Sequence, residues 1–286
     1  MPERVLIVGA GFLGSYLSQE FKDHIIMQTN LTKIQNDSYM LNISDRKKVI
    51  ECFNKFKPTI VINCAAKTNV DFLEKNPSIA YSINGESVRN IAIAAENHNA
   101  RFIHISSDGI FDGIEGNYVE EDKPNPINVY ARSKLIGEEN VVTNCTNHII
   151  VRTNFYGYNP QQKFLFNNIL SKLKNGEQII GFDDVIFTPL EVSNLSQLIL
   201  DITFSQYNGI LNLSSNESIS KYKFCCKIAE VFDLDSNLIK KGSVEDMKSI
   251  TKRPKNTSLI NLKSKQFTKS KILSFDEGLS KTQDFV

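Results

Sequence analysis

The chain has 286 residues, of which 41% are hydrophobic and 23% are charged, and its formal net charge is +1. This is the composition of an ordinary globular protein, long enough to bury a large core in one or two domains. The nearly neutral charge gives no electrostatic reason to expect nucleic acid or a membrane surface as a partner. No apolar stretch approaches the roughly 18 residues that would span a bilayer.

The five cysteines are an odd number and lack C-x-x-C spacing, which indicates reduced thiols in a cytoplasmic protein. The N-terminus lacks the basic and apolar regions of a secretion signal. The four histidines are scattered along the chain, so we predict no metal site.

The first predicted element is a strand over Arg4–Val8, and it leads into a G-x-G-x-x-G turn at residues 9–14. A helix follows the turn, which is the context that a dinucleotide fingerprint requires. The three glycines would allow a tight turn, close approach of a pyrophosphate, and close packing of the helix on the strand. The helix N-terminus would also present unpaired N–H groups to the phosphates. We therefore predict a pyrophosphate site made of Gly9, Gly11, Phe12, Leu13 and Gly14.

Short apolar segments and helical patterns then alternate up to residue 155. Strands are predicted over His24–Gln28, Thr59–Cys64, Arg101–Ser106 and His148–Arg152, and helices over Asp45–Lys57, Ser78–Asn97 and Val129–Thr143. This alternation predicts an α/β fold with a Rossmann-type, doubly wound parallel sheet covered on both faces. Ligands of such folds bind outside the carboxyl ends of the strands.

Beyond residue 155 the pattern is less regular. Helices are predicted over Phe164–Asn175, Val192–Phe204 and Lys221–Phe232, and strands over Gln178–Phe182, Val185–Thr188 and Gly209–Leu213. We predict that residues 1–155 form an NAD(P)-binding domain and that residues 156–286 form mainly a smaller substrate-binding domain, with a segment at about 186–210 returning to the first. The polar, lysine-rich tail from Lys263 to Val286 is predicted to be a loosely held surface segment.

Tyr130 and Lys134 are the most informative pair, because residues four apart share one face of a helix. An ammonium group beside a phenol favours the phenolate and lowers the tyrosine pKa from its usual value of about 10. The pair therefore predicts a tyrosine that works as an acid or base near neutral pH.

Together the motifs resemble the extended short-chain dehydrogenase/reductases, in particular the dTDP-4-dehydrorhamnose reductase branch, over most of the chain. The resemblance is carried by V-I-N-C-A-A-K-T-N-V-D at 61–71, Asn84, I-S-S-D-G-I-F-D-G at 105–113, Y-V-E-E-D-K-P-N-P at 118–126, S-K-L-I-G-E at 133–138, R-T-N-F-Y-G at 152–157 and F-T-P-L at 187–190.

The resemblance implies a catalytic set of Ser107, Tyr130 and Lys134. Tyr130 would donate a proton to the carbonyl oxygen while a nicotinamide delivers hydride to its carbon. Lys134 would also hold the nicotinamide ribose, and Ser107, rather than its neighbour Ser106, would bind the same oxygen. Asp108 either tunes Ser107, binds sugar hydroxyls, or is an ordinary turn aspartate.

The cofactor would be NADP or NAD. By resemblance, Asn42 and Ile43 would contact the adenine, and Ala65 and Ala66 would line the path of the ribose and nicotinamide. No acidic residue stands about 20 positions after the glycines to bind a ribose 2′-hydroxyl. Lys33 could meet a 2′-phosphate, which favours NADP slightly.

The substrate would be a nucleotide-linked sugar, bound by Ser107, Asp108, Asn154 and Arg253. The arginine fork of Arg253 suits a diphosphate, although a surface basic turn is an equal alternative. Gly109 and Asn154 stand where the branch usually carries a tyrosine and a tryptophan, and both changes fall near the sugar. They put the identity of the sugar in question more than the reaction.

The leading functional hypothesis is NAD(P)H-dependent reduction of a nucleotide-linked 4-keto-6-deoxy sugar. An epimerase of the same superfamily remains open, whereas a 4,6-dehydratase would need a glutamate where Gly109 stands. A non-catalytic, dinucleotide-binding regulatory subunit is the alternative from another class. Members of the branch sometimes use magnesium and form homodimers, and nothing in the sequence decides either point.

Overall fold

The computed structural model describes residues 1–31, 38–159, 164–246 and 249–286. The strands are β1 (Arg4–Val8), β2 (Ile25–Asn30), β3 (Tyr39–Met40), β4 (Ile60–Asn63), β5 (Arg101–Ile105), β6 (His148–Thr153), β7 (Phe155–Tyr156), β8 (Ile179–Phe182), β9 (Ile186–Phe187), β10 (Leu190–Glu191), β11 (Gly209–Leu213), β12 (Ile219–Ser220) and β13 (Ile239–Gly242).

The α-helices are α1 (Phe12–Glu20), α2 (Arg46–Phe56), α3 (Val70–Lys75), α4 (Pro77–Ala80), α5 (Ser87–Asn97), α6 (Val129–Asn144), α7 (Leu165–Lys174), α8 (Val192–Thr203), α9 (Lys221–Val231) and α10 (Phe275–Gln283). A π-helical turn (Tyr81–Glu86) joins α4 to α5, and short 3₁₀ turns occur at Asp108–Ile110, Ser236–Leu238, Val244–Asp246 and Ser264–Gln266. None of the helices within the described ranges is long and apolar enough to cross a membrane.

A seven-stranded sheet in the order β11-β6-β5-β4-β1-β2-β3 forms the centre of the molecule, and all its neighbouring strands are parallel. The predicted Rossmann-type sheet is therefore confirmed. The strands have the buried apolar character of a sheet covered on both faces, since every residue of β4 and β6 is buried. The order reverses between β1 and β4, and this switch point is where such folds bind ligands.

Two apolar clusters cover the two faces of the sheet. On one face α1 and α8 contribute residues such as Leu17 and Leu198, and on the other α2 and α5 contribute residues such as Phe53 and Ile91. A third cluster joins α7, α9 and α10 with β8 in the C-terminal half of the chain. The division into two domains at about residue 155 stays a prediction.

The predicted single helix over Ser78–Asn97 contains the π-helical turn instead of a continuous α-helix. Asn84 in this turn is buried and donates from Nδ2 to the Lys67 carbonyl at 2.9 Å and to Ser133 Oγ at 3.1 Å. Its Oδ1 accepts from Lys67 N at 2.8 Å. Asn84 thus ties the loop after β4 to α6.

The prediction of a loosely held tail is wrong. The tail contains α10, whose Phe275 and Leu279 are buried in the third cluster, and Ser274 and Glu277 form a capping box at its start. Phe275 and Leu279 lie four residues apart on one face of a helix, and they are buried by packing in the third cluster, where Tyr156 and Phe224 contact the ring of Phe275.

Candidate active site

The turn between β1 and α1 packs directly against the end of β4. Gly9 has a φ of +106°, and a Cβ there would lie 2.9 Å from Ala65 N. A Cβ on Gly14 would lie 2.0 Å from the Gly9 carbonyl oxygen. Only glycine fits at either position, so the predicted reasons for these two glycines hold in the structure.

Gly11 leaves open space in front of the helix. It is the N-cap of α1, forms no side-chain cap, and a Cβ there would meet nothing within 4 Å. The side chains of Phe12 and Leu13 are buried in the core, so only their backbone N–H groups are available to a ligand. The first N–H groups of a helix have no intrahelical partner, and they make this end of α1 suited to an anion.

The predicted adenine and ribose contacts lie along the same edge of the sheet. Asn42 is exposed and its Oδ1 accepts from Ser44 N at 3.0 Å, whereas Ile43 is buried in the core. Ala65 is half-buried and Ala66 is exposed at the end of β4. Lys33, suggested as a contact for a 2′-phosphate, lies outside the described residues.

A cleft of about 1040 Å³ opens beside this edge. It is lined by five of the residues predicted to act in catalysis or to bind substrate, namely Ser107, Asp108, Tyr130, Asn154 and Arg253. The tertiary structure thus brings together residues that span almost 150 positions of sequence.

Tyr130 stands in the first turn of α6, with its side chain half-buried at the cleft. The helix starts there because Asn128 caps it, accepting from Ala131 N at 2.9 Å. The pKa of Tyr130 is raised to about 12, because burial and the nearby charge of Asp108 raise it by more than the neighbouring hydroxyl of Ser107 lowers it.

Lys134 is buried one turn later and donates from Nζ to the Ile105 carbonyl at 2.7 Å. Burial lowers its pKa to about 8, against the opposing effect of Glu138 and Cys64. The prediction that Lys134 lowers the pKa of Tyr130 is therefore wrong for this arrangement. The desolvation of Tyr130 dominates, and the ammonium group of Lys134 is directed at a backbone carbonyl instead.

Ser107 and Asp108 form the floor of the cleft at the end of β5. Asp108 is buried and accepts from Ser107 Oγ at 3.2 Å, from Asn154 Nδ2 at 3.1 Å, and from Thr257 Oγ1 at 2.8 Å. Burial raises the pKa of Asp108, and these three donors lower it. Asp108 and Asn154 were predicted as separate substrate contacts, and the structure joins them by a hydrogen bond.

Ser106 points away from the cleft. Its Oγ donates to Glu138, which forms a buried ion pair with Arg152 at 2.9 Å. Both charged side chains are only 3% exposed. Of the two adjacent serines, only Ser107 is placed to meet a ligand.

Arg253 lies at the side of the cleft, paired with Asp71 of α3. Its Nη2 is 3.1 Å from both carboxylate oxygens. A hydrogen bond from Ser249 and the nearby guanidinium of Arg253 hold the pKa of Asp71 below its usual value. The fork predicted to bind a diphosphate therefore lies in the cleft but already has one carboxylate partner.

Thr257 and Lys221 are two of the cleft residues that sequence reasoning missed. Thr257 donates a hydrogen bond to Asp108, which lies 149 positions earlier in the sequence. Lys221 is the first residue of α9 and lines the cleft. A single threonine or lysine in a C-terminal helix or loop carries no signal of its own. Within the described ranges no group of three or more histidine, cysteine or acidic side chains is arranged to hold a metal ion.

The sequence profile described as "RmlD substrate binding domain" matches residues 3–285, which is nearly the whole chain. The chain belongs to this family. This match confirms the resemblance inferred from the motifs, and the cleft described above lies in a member of this family.

Known relatives of this family member include a reductase and a subunit of a different enzyme. A probable low-salt glycan biosynthesis reductase, Agl14 of Haloferax volcanii, is 32% identical over 226 residues, which are 77% of this chain and 75% of that protein. Methionine adenosyltransferase 2 subunit beta of Xenopus tropicalis is 30% identical over 277 residues, which are 90% of this chain and 80% of that protein.

Among solved structures, the dTDP-4-dehydrorhamnose reductase of Bacillus anthracis, in complex with NADP, matches with a TM-score of 0.92 at 29% identity. The match covers 100% of both chains.

Proposed function

We propose that this protein is an NAD(P)H-dependent reductase of a keto sugar linked to a nucleotide, and that NADP(H) is its cofactor. The observation that carries the proposal is the meeting of Ser107 and Tyr130 in one cleft, with Lys134 one turn behind them. The similarity to the NADP-bound dTDP-4-dehydrorhamnose reductase supports both the reaction and the cofactor.

The glycine turn fits a dinucleotide. The uncapped N-terminus of α1 and the open space at Gly11 suit a pyrophosphate, and Gly9 and Gly14 shape the turn. Asn42, Ile43, Ala65 and Ala66 follow strand ends along the same edge, where the adenosine and nicotinamide ends would lie. When bound, the reduced nicotinamide supplies the hydride that reaches the carbonyl carbon.

Tyr130 gives its proton to the oxygen of that carbonyl. Its raised pKa keeps the phenol protonated at neutral pH, so the proton is available when negative charge develops on the oxygen. Lys134, charged below a pKa of about 8, holds the nicotinamide ribose.

Ser107 orients the carbonyl oxygen. The bond that its hydroxyl donates to Asp108 is long, at 3.2 Å, so turning the hydroxyl toward a bound carbonyl breaks only a weak contact. The amide of Asn154 donates to Asp108 through Nδ2, which leaves its Oδ1 to accept from a sugar hydroxyl.

The substrate class that we favour is a 4-keto-6-deoxy sugar nucleotide. Because Gly109 and Asn154 replace bulkier residues of the branch, dTDP-4-keto-rhamnose is expected to be a poor substrate. The test is to follow NADPH consumption by the purified protein with dTDP-, UDP-, GDP- and CDP-linked keto sugars. Turnover of the dTDP compound with kcat/KM above about 10⁴ M⁻¹s⁻¹, the lower end of typical enzymes, would show that both departures are harmless.

A second candidate is a dinucleotide-binding subunit of another enzyme. It is favoured by the 30% identity to methionine adenosyltransferase 2 subunit beta. One measurement separates the two candidates. Without any partner enzyme, a reductase consumes NADPH when a keto-sugar nucleotide is added, whereas a regulatory subunit does not. Tightly bound oxidised NAD after purification would instead favour an epimerase.

A further inference from the structure

Lys221 is a cation of the cleft whose side chain has no hydrogen-bonding partner among the described residues. It is the first residue of α9, it lines the cleft, and its Nζ lies 5.7 Å from the centre of the Phe187 ring. Among the described residues, its ammonium group forms neither a hydrogen bond nor an ion pair. Partly buried lysines usually have such a partner, because an ammonium group loses water on burial.

Arg253 lines the same cleft and also has a free donor. Asp71 accepts from Nη2 of Arg253, whereas Nε is buried and has no hydrogen-bond partner within the described ranges. The guanidinium group is thus fixed in place by one carboxylate and still able to bind a second anion.

Lys221 and Arg253 line the same cleft, so their positive charges face one cavity. Burial lowers the pKa of Lys221 most, and the charge of Arg253 lowers it next. Only Asp108 and Cys225 oppose these effects, and the carboxylate of Asp108 already accepts from three other side chains. Two like charges facing one cavity are stabilised when an anion enters between them.

We propose that Lys221 and Arg253 together hold the diphosphate of a sugar nucleotide, with Lys221 on the phosphate next to the sugar and Arg253 on the phosphate next to the nucleoside. This inference rests on the proposed function and assigns Lys221 a role in it. An ammonium group serves one phosphate as a point charge, whereas the planar fork of arginine can bind two oxygens of the other.

The order of the two phosphates follows from the neighbours of each cation. The charge of Asp108 raises the pKa of Lys221, and Asp108 accepts a hydrogen bond from Ser107 at the place where the sugar carbonyl would lie. Arg253 is held instead by Asp71 on α3, and that carboxylate is 47% exposed. The sugar-proximal phosphate is therefore nearer Lys221, and the nucleoside end leaves the cleft past Arg253.

The test compares nucleoside diphosphates with monophosphates by calorimetry, using dTDP with dTMP, UDP with UMP, GDP with GMP and CDP with CMP. For the base that binds tightest, the wild-type protein should bind the diphosphate at least about tenfold more tightly, since a charged hydrogen bond contributes about 1.5–3 kcal/mol. Lys221→Met should bring the ratio of the two affinities close to one. Arg253→Gln should weaken both ligands and leave the ratio unchanged.

Lys223→Met is the matched control, because Lys223 lies on the same helix but is exposed and does not line the cleft. It should keep the wild-type ratio. Retained NADPH binding shows that a variant is folded. If Lys221→Met does not bind NADPH, the comparison is made with Lys221→Gln instead. In the wild-type protein, the diphosphate but not the monophosphate should protect Lys221 from acetylation, measured by mass spectrometry.

An unchanged ratio in the folded Lys221 variant, or a wild-type protein that binds both ligands equally, would overturn the inference. So would equal acetylation of Lys221 with either ligand. None of these measurements needs turnover. If the ratio behaves as expected but no keto sugar is reduced, the diphosphate site stands and the proposed reductase function fails.

Discussion

The hydroxyl of Ser107 donates to the carboxylate of the next residue, Asp108, across 3.2 Å. The same carboxylate accepts from Thr257 at 2.8 Å, so a residue of the C-terminal segment stabilises the floor of the cleft. The orientation of Ser107 therefore depends on a contact that no local sequence feature reveals.

Thr257→Val should remove this contact while keeping the shape of the side chain. A hydrogen bond to a charged group contributes about 1.5–3 kcal/mol, so the free energy of unfolding should fall by about that amount in urea. The bond from Thr257 lowers the pKa of Asp108, so its loss should raise that pKa. The fall of kcat/KM at acid pH, which reports protonation of Asp108, should then occur at higher pH.

Thr257→Ser keeps the hydroxyl and should restore the wild-type pH profile. An acid limb that stays in place in Thr257→Val would mean that Asp108 does not influence the reaction through Ser107.

Gly11→Val should abolish NADPH binding without unfolding the protein. The structure has open space at this position and an ordinary φ of −83°, so the branched side chain fits the fold but occupies the approach of the pyrophosphate. We expect the Kd, measured by fluorescence titration, to rise by more than about tenfold, which corresponds to 1.4 kcal/mol. Gly11→Ala should weaken binding less. Unchanged affinity in a folded Gly11→Val would place the dinucleotide elsewhere.

Tyr130→Phe should lower kcat and leave NADPH affinity unchanged. The substitution removes only the phenolic hydroxyl, and general acid catalysis contributes about 10²–10⁴-fold to a rate. We expect kcat to fall by at least the lower of these figures. If the variant retains more than half of the wild-type activity on its substrate, Tyr130 is not the proton donor.

The fall of kcat/KM for NADPH at alkaline pH should report the loss of the proton from Lys134. Because burial lowers the pKa of this ammonium to about 8, the charge is present below that pH and is lost as the pH rises through it. Tyr130, with a pKa of about 12, stays protonated over the same range. We expect kcat/KM to fall above about pH 8, and Lys134→Met to have low activity without this limb. A limb that persists in Lys134→Met belongs to another group.

Glu138→Gln should destabilise the protein strongly. It leaves the buried guanidinium of Arg152 without its carboxylate, and breaking such a pair costs about 3–5 kcal/mol. The neighbouring Glu139 is exposed, so Glu139→Gln should change the free energy of unfolding by less than about 0.5 kcal/mol. Urea unfolding of both variants measures the difference, and equal stabilities would show that the ion pair is dispensable.

The sequence by itself determined the parallel sheet and the glycine turn after β1. Apolar segments of strand length and helical periodicity are local patterns, and β1 and β11 occur where the pattern placed them. The spacing of the motif alone predicted why glycine is required at positions 9 and 14. Every chain that forms this tight β-to-α turn leaves equally little room for a side chain there.

Tertiary structure decided the electrostatics and the far wall of the cleft. The spacing of Tyr130 and Lys134 predicted a lowered tyrosine pKa, but burial depends on packing from distant segments, and it reversed the direction. Thr257 and Lys221 line the cleft although they lie far along the chain from Ser107, and α10 is buried by its packing in the third cluster. Desolvation and contacts between distant residues are properties of the folded chain, and no local pattern of residues carries them.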